Sequence, residues 1–443
     1  MKIATIALLV MPLLAQGPLS LRDAARLALE KHPSVEAAAA SVRAVDTRLQ
    51  QARSGRLPKL NYSESWQRSD NPVFVFSSLL AQHQFNESNF AIGPLNRPNA
   101  LNNFQSQLVL DQVVWDAGGT KKQVEAAGLG RQMAREDRRR TEMAVLANVV
   151  RAYSGVLLTQ ESLKVAREAV ASAQADLDRA ETVRAAGMTT DADVLAIRVH
   201  LAAIEEQEIR RGYDLQIAQA ALNEALGLPL DTPHELTTSL DALPEAAASL
   251  AAQESSARES RPEARQVRLG VSLAQNQSEM ARSSLLPQVS FRFAFEADRQ
   301  RFINRGGANW LAGASLRWNL FNGFADKARI AEAHEQVLQA RAQQRQVEAG
   351  LSLEVRRAYL DLKATEERIR VTEAAVAGAE ENLRIVKNRY ENGLTNVTEL
   401  LRSETALAET RLRRLSALHD QRLAAAALEL AAGTLSAESS VLN

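Results

Sequence analysis

Apolar residues recur every seven positions along two long proline-free stretches of this chain. In the first, Ala117 to Leu226, the series is Val149, Val156, Leu163, Val170 and Leu177, with Ala152, Thr159, Ala166, Ala173 and Ala180 three positions on. In the second, Val355, Leu362, Ile369, Val376 and Leu383 are followed by Ala358, Thr365, Thr372, Ala379 and Val386. A strict seven-residue spacing predicts left-handed coiled-coil packing, with large residues facing small ones so that the helices approach closely. Each stretch predicts a helical hairpin, the first from about Thr120 to Arg184 and back from about Ala192 to Leu226. At 1.5 Å per residue its long helix is ~95 Å, a length that needs a partner throughout, since propensity alone does not hold it.

The two hairpins are copies. A shift of ~206 positions carries Trp115-Asp116 onto Phe321-Asn322, Arg151-Ala152-Tyr153 onto Arg357-Ala358-Tyr359, Gly187 onto Gly393 and Gly227 onto Gly433. Ahead of each hairpin lies a shorter helical pattern, Ser20 to Arg56 and Leu250 to Leu286. Pro33 and Pro262 interrupt these patterns, and Leu57-Pro58 and Leu286-Pro287 end them. The half-length helices predict end-to-end stacking beside each long one.

A period of two appears at four places. Val289, Phe291, Phe293 and Phe295 alternate with polar or small residues, as do Trp310, Ala312, Ala314, Leu316, Trp318 and Leu320. Lys59 to Gln67 places Leu60, Tyr62 and Trp66 on one face, and Phe104 to Val114 places Phe104, Leu108, Leu110 and Val114 on one side. Strands of this kind fit a transmembrane barrel and equally a soluble four-stranded sheet packed on helices. Four strands cannot close a barrel alone, and open edges in lipid are not viable, so a membrane reading requires several chains to share one barrel. Three chains would give twelve strands. Between the first two strands, Asn61 to Asn103 is rich in Asn, Ser, Pro and Phe and predicts a long irregular surface loop.

The domain reading follows. Residues 1–15 have the charged and apolar regions of an export signal; the alternative is a buried helix start. Residues 16–230 form the first repeat, with strands at about 59–67 and 104–114 and a hairpin tip at 184–190. Residues 231–248, holding Pro233 and Pro244, form an inter-repeat equatorial segment. Residues 249–433 form the second repeat, with strands at about 288–296 and 309–320 and a tip at 389–396, and 434–443 form a flexible tail.

Composition narrows the function. Lys+Arg and Asp+Glu balance at 53 each, so nothing argues for a nucleic-acid partner. The absence of cysteine excludes disulfides, thiolate metal sites, cysteine nucleophiles and a lipidated N-terminal cysteine. The six histidines lack the close pairing of metal sites and the six methionines do not cluster. No nucleophile–base–orienter set is visible, so no enzyme and no cofactor are expected. The cluster from Arg135 to Arg140 reads as a solvated helix face. Beyond residue 15 no stretch approaches the ~18 apolar residues of a spanning helix.

The chain resembles the TolC-like outer-membrane efflux proteins, the outer-membrane factors. The resemblance is carried by the duplicated helix–strand–strand–helix–helix order and the Leu-Pro junctions. It is also carried by Val114-Trp115-Asp116-Ala117-Gly118-Gly119 and Leu320-Phe321-Asn322-Gly323 at the strand-to-helix returns. Its most specific pieces are the tips, with Arg184, Gly187, Asp193, Val194 and Leu195 in one and Arg389, Tyr390, Gly393, Leu394, Thr395, Glu399, Leu400 and Leu401 in the other. It implies a mainly α fold with a small β part: a homotrimeric twelve-stranded outer-membrane β-barrel, set in outer-membrane lipid and continuous with a periplasmic α-helical coiled-coil tunnel. It implies a passive exit duct in a tripartite efflux or type I secretion system, working with an inner-membrane transporter and a periplasmic adaptor. Asp193 and Tyr390 match a tyrosine–acid pair that helps hold the periplasmic gate shut. Glu399 matches an axis-facing acidic ring. Thr395 and Arg402 stand where the best-known member has an arginine partner and a second acid. Gly187 and Gly393 suit the positive φ of a tight helix reversal. Asp193 and Glu399 also suit the first turn of a returning helix for purely local reasons. Arg184, Met188, Thr189, Thr190, Arg389, Leu394, Thr395 and Asn396 are the candidates for adaptor docking. The competing reading is a soluble periplasmic coiled-coil adaptor or scaffold, although adaptors normally carry one hairpin rather than two.

Overall fold

A computed structural model of the protein describes residues 18–245, 248–303 and 306–443; the expected export signal lies outside them. The first repeat contains α1 (Leu21–Lys31), α2 (Pro33–Ser54), β1 (Lys59–Ser69), α3 (Pro72–Ala81), α4 (Ile92–Asn96), β2 (Leu101–Trp115), α5 (Gly119–Ala185) and α6 (Asp191–Leu226). The second contains α7 (Leu250–Ser260), α8 (Pro262–Ser283), β3 (Gln288–Arg299), β4 (Gly307–Arg317), α9 (Ala325–Glu391) and α10 (Val397–Ala432). Equivalent helices match residue for residue in length: α1 and α7 have 11 residues, α2 and α8 have 22, α5 and α9 have 67, and α6 and α10 have 36. Pro33 and Pro262 each open the second helix of a broken pair, because proline lacks the N–H that a helix interior needs and tolerates the first turn.

Contacts divide the chain into two compact units. One comprises the chain up to Val42, Ala134–Val267 and Gln344–Asn443; the other comprises Arg43–Met133 and Arg268–Gln343. In the first unit part of the predicted seam lies in the core, while Ala152, Thr159, Ala166, Val170, Val376 and Leu383 are only half-buried. Val149, Val156, Leu163, Leu177, Ala173 and Ala180 are buried, as are Val355, Leu362, Ile369, Ala358 and Thr365 in the second copy. Tyr153 is fully buried; its hydroxyl donates to the Leu19 carbonyl at 2.8 Å and accepts the Thr238 N–H at 3.2 Å. The proline-broken inter-repeat segment cannot satisfy its own backbone, so side chains do it. Asn223 donates to the carbonyls of Leu230 and Thr232, and Gln421 binds both the N–H and the carbonyl of Leu243.

The half-length helices meet at a joint. A Cβ on Gly227, just past α6, would come within 2.8 Å of the His32 Cα between α1 and α2. A Cβ on Gly433, just past α10, would come within 2.7 Å of the Arg261 backbone between α7 and α8. Arg139 donates to the Gly433 carbonyl at 3.0 Å, so one member of the arginine cluster caps a helix end while Arg138 and Arg140 pair with Glu142 and Asp137 on their own helix. The tail differs from expectation. Leu435, Val441 and Leu442 are buried, Glu438 pairs with Arg26 at 2.8 Å, and Asn443 accepts from Arg22 at 2.6 Å. Three apolar residues among serines suffice to dock it, which a reading of overall polarity overlooks.

The second unit holds one antiparallel sheet in the order β1-β2-β3-β4. Its register aligns the four apolar faces: Tyr62 opposes Leu108, Leu108 opposes Phe295, and Phe295 opposes Trp310. The other face carries Lys59, Asp111, Arg292, Gln105, Asp298 and Asn103. The apolar face is left open: Tyr62, Trp66, Trp310 and Leu316 are each more than half exposed. Among the described residues the outer edges of β1 and β4 pair with no strand. β4 starts and stops earlier than its alternation suggests. Trp318 lies beyond it, and its indole N–H donates to the Leu285 carbonyl at 3.0 Å. At the strand-to-helix returns, Asp116 accepts the N–H groups of Gly118 and Thr120, and Asn322 accepts that of Asp326; this is the local work of the Trp-Asp and Phe-Asn dipeptides.

The expected irregular loop between β1 and β2 is instead a small helical insertion. Asn71 caps α3 by accepting from Val73 and Phe74, with Pro72 at the first helical position. Asn-Pro is a helix start here rather than a turn. Asn86 and Asn89 form a reciprocal cap on a short 3-10 turn, Glu87–Phe90. Phe85 stands edge-on to both Phe76 and Phe90, with centroids 4.8 and 5.0 Å away, giving the insertion an apolar cluster of its own.

Candidate functional site at the hairpin tips

Both tips reverse the chain with a glycine in the left-handed region, at φ 76° for Gly187 and 71° for Gly393. The N–H groups of Met188 and Leu394 return to the carbonyls of Val183 and Arg389, at 3.1 and 2.8 Å, and close the last turns of α5 and α9. The return helices are capped differently. Thr190 accepts the Asp193 N–H, and the Asp193 carboxylate reaches back to the N–H and hydroxyl of Thr190 and to the Thr189 hydroxyl at 3.0 Å. These bonds, the Thr190 hydroxyl first, hold the Asp193 carboxyl below its ordinary range against an opposing effect of burial. In the second tip Asn396 accepts the Glu399 N–H at 3.0 Å, but the Glu399 carboxylate turns to Arg402 at 3.3 Å and stays exposed.

The two tips share a cleft of about 590 Å³ lined by Arg179, Val183, Asp193, Tyr390, Thr395 and Val397, among others. Tyr390 and Asp193 therefore lie in one cleft, yet among the described hydrogen bonds none joins them. Burial, with Asp193 and Asp176 nearby, pushes the Tyr390 hydroxyl up from its ordinary pKa. Arg179 pairs with Glu391 across the cleft. Met188 and Leu394 point outward, 75% and 67% exposed. Arg184 pairs with Asp191 at 3.3 Å within its own tip, and Arg389 lies 3.5 Å from the Leu394 carbonyl within the other.

A group of residues that the sequence reading passed over lies behind the tips. Asp176, only 4% exposed, receives Lys387 at 3.1 Å. Glu404 accepts from Ser172 at 3.1 Å, and His200 lies 3.8 Å from it. Burial first, and Asp176 beside it second, push the Glu404 carboxyl up to about 7. Burial lowers the pKa of His200. The signal available in the sequence was positional: Asp176 lies on the seam between Ala173 and Ala180, where a solvated acid does not belong. Among the described residues no group of three or more His, Cys, Asp or Glu side chains could hold a metal ion, and no helix is long and apolar enough to cross a membrane.

Comparison with known proteins agrees with this architecture. The alkaline protease secretion protein AprF of Pseudomonas aeruginosa is 24% identical over 425 residues, covering 94% of this chain and 85% of its own. The solved structure of CusC superposes with a TM-score of 0.79 at 18% identity, covering 95% of this chain and 93% of the other. The Campylobacter jejuni CmeC outer membrane channel gives 0.78 at 16% identity, covering 95% and 87%. These likenesses establish the fold. The profile of the outer membrane efflux proteins matches twice, over residues 24–228 and 254–434, once per repeat, and the chain belongs to that family.

Proposed function

We propose that the chain is the passive outer-membrane exit duct of a tripartite efflux or type I secretion system. The observation that carries this is the sheet: four strands in register present a largely apolar face, crossed near one end by the Arg299–Glu64 pair, and leave both edges unpaired. In lipid each unpaired backbone group costs several kcal/mol, so the edges must be closed by other copies of the chain. Three copies give the family's twelve-stranded barrel, with the apolar face toward outer-membrane lipid and the polar face toward the lumen. The paired long hairpins then form the periplasmic tunnel. Transport energy comes from an inner-membrane transporter, reached through a periplasmic adaptor, and cargo passes without chemical change.

The tips serve as gate and docking site in this reading. Glu399 faces the axis with its counterparts and forms an acidic ring that favours cations. Asp193, Tyr390, Thr395 and Arg402 set how firmly the gate closes. The residues around Gly187 and Gly393, namely Arg184, Met188, Thr189, Thr190, Arg389, Leu394 and Asn396, meet the adaptor. The deciding experiment is the native mass of the chain after detergent extraction of an outer-membrane fraction. Three chains per particle are expected. A monomer released by washing would sink the duct and favour a soluble periplasmic scaffold.

A further inference from the structure

The insertion between β1 and β2 has no equivalent in the second repeat and is not needed to close a strand hairpin. Its position on the sheet is therefore informative. α3 buries Val75 and Ser78, and Gln82 follows on the same side, only 1% exposed. The Gln82 side-chain amide donates to the Asn102 carbonyl at 3.0 Å and to the Asn103 side chain at 2.8 Å. Asn103 in turn donates to Asp298 at 2.6 Å. Asn309 donates to the Ala81 carbonyl at 3.1 Å. Gly307 approaches so closely that a Cβ there would overlap the Ala81 carbonyl, at 1.9 Å.

The strand register fixes which face this is. Asn103 pairs with Gln67, Gln105 with Asp298, and Asp298 with Gly307, so Asn103, Asp298, Gly307 and Asn309 all lie on the polar face. The insertion is thus bolted to the face opposite Tyr62, Phe295 and Trp310. It sits at the end of the sheet away from the connections to α2, α5, α8 and α9. We infer that residues 71–100 fold into the outer mouth of the shared barrel and narrow the exit, acting as a size filter on what leaves. The inference rests on the shared-barrel reading. Val73 and Leu80 of α3 stay exposed, at 78% and 48%. On the lumen side, the insertions of the other copies are the surfaces those side chains meet.

The chain contains no cysteine, so one introduced thiol is a clean reporter. Ser315→Cys places it on the polar face of β4, eight residues along the strand from Gly307, and ~27 Å deeper at 3.4 Å per residue. Ile303→Cys, at a position 90% exposed beyond β3, is the external reference. Intact cells are treated with a compact impermeant maleimide and with a bulky polyethylene-glycol maleimide. The bulky reagent should label Ile303→Cys and leave Ser315→Cys at background. Replacing Pro72–Asn99 with a short Gly-Ser turn should raise Ser315→Cys labelling to the Ile303→Cys level. Should that deletion fail to reach the outer membrane, the paired Gln82→Ala and Asn309→Ala changes release the insertion while keeping every strand. Bulky labelling of Ser315→Cys with the insertion intact overturns the filter, and so does continued exclusion in both altered chains while the compact reagent enters. If neither reagent reaches Ser315→Cys even after deletion or release, the polar face is not a lumen, and the barrel reading itself fails.

Discussion

The two helical hairpins share lengths and seam, yet their charges are arranged in opposite ways. In the first, Glu181 and Arg198 form an exposed pair at 2.8 Å within the hairpin. The equivalent positions of the second are Lys387 and Glu404, with the signs reversed. There the lysine crosses to Asp176 of the first hairpin, and the glutamate is buried beside it. Asp176 itself has Asn382 as its counterpart, hydrogen-bonded to Ser403 at 3.1 Å. The copies have thus diverged where they face each other. A pair that each hairpin could satisfy alone has become, in one direction, a bond between hairpins. A duplicated chain can make the facing surfaces of its two hairpins unequal in this way, which copies of a single unduplicated hairpin cannot.

The largest effect should come from what the hairpins still share. Replacing Gly187 and Gly393 with valine puts a β-branched residue in the left-handed region, at roughly 1–2 kcal/mol per site before any clash. Export should be abolished while recovery in the outer membrane persists; normal export would refute the assignment of these turns as the working tips. Next comes the asymmetry. Lys387→Met leaves Asp176 buried without its cation, and should destabilise the chain by roughly 2 kcal/mol. That is below the loss for a fully buried pair, because about a third of the lysine side chain remains in solvent. Glu181→Gln should cost under ~1 kcal/mol, as exposed pairs do. Equal losses in thermal unfolding would erase the distinction between the hairpins.

The buried glutamate sharpens the comparison through pH. Its folded pKa of about 7 lies above the ordinary 4.5, so the folded chain holds a proton that the unfolded chain has released. Its contribution is fully present below about 4.5 and is lost as pH rises toward 7. Thermal stability should therefore fall across that window, and Glu404→Gln should flatten the fall; an unchanged slope would assign it to other groups. The smallest effect is expected from Glu399→Gln, since Glu399 is exposed and already paired with Arg402. A reduced cation preference in planar-bilayer conductance is expected, and unchanged selectivity would place Glu399 off the pore.

Where local physics and tertiary packing agree, the elements were legible. The seven-residue seam located part of the long-helix core, from Val149 to Ala180 and from Val355 to Ile369, but not Leu146, Val150, Tyr153 or Leu157 beside it, and period-two alternation located the four strands. The two tip glycines announced their φ values because only glycine adopts them without penalty. What stayed hidden depended on partners distant in the chain. Asn71-Pro72 is equally a turn and a helix start until the sheet offers α3 a surface. Leu435, Val441 and Leu442 look like stray apolar residues until the core beside α1 receives them. Asp176 and Lys387 lie 211 positions apart, and nothing local pairs them.

The identical residue counts of the paired helices have a mechanical consequence. Each residue in a helix adds 1.5 Å and turns the helix by about 100°. A single deletion in α9 would shorten that hairpin only slightly, but it would swing every seam residue beyond it off its partner. Seven residues, by contrast, amount to nearly two full turns and restore the facing. These helices therefore tolerate change in whole-heptad steps, and only if both copies and both limbs of each hairpin change together. The helix lengths act as a phase lock, tying the evolution of tunnel length to a quantum of about 10 Å.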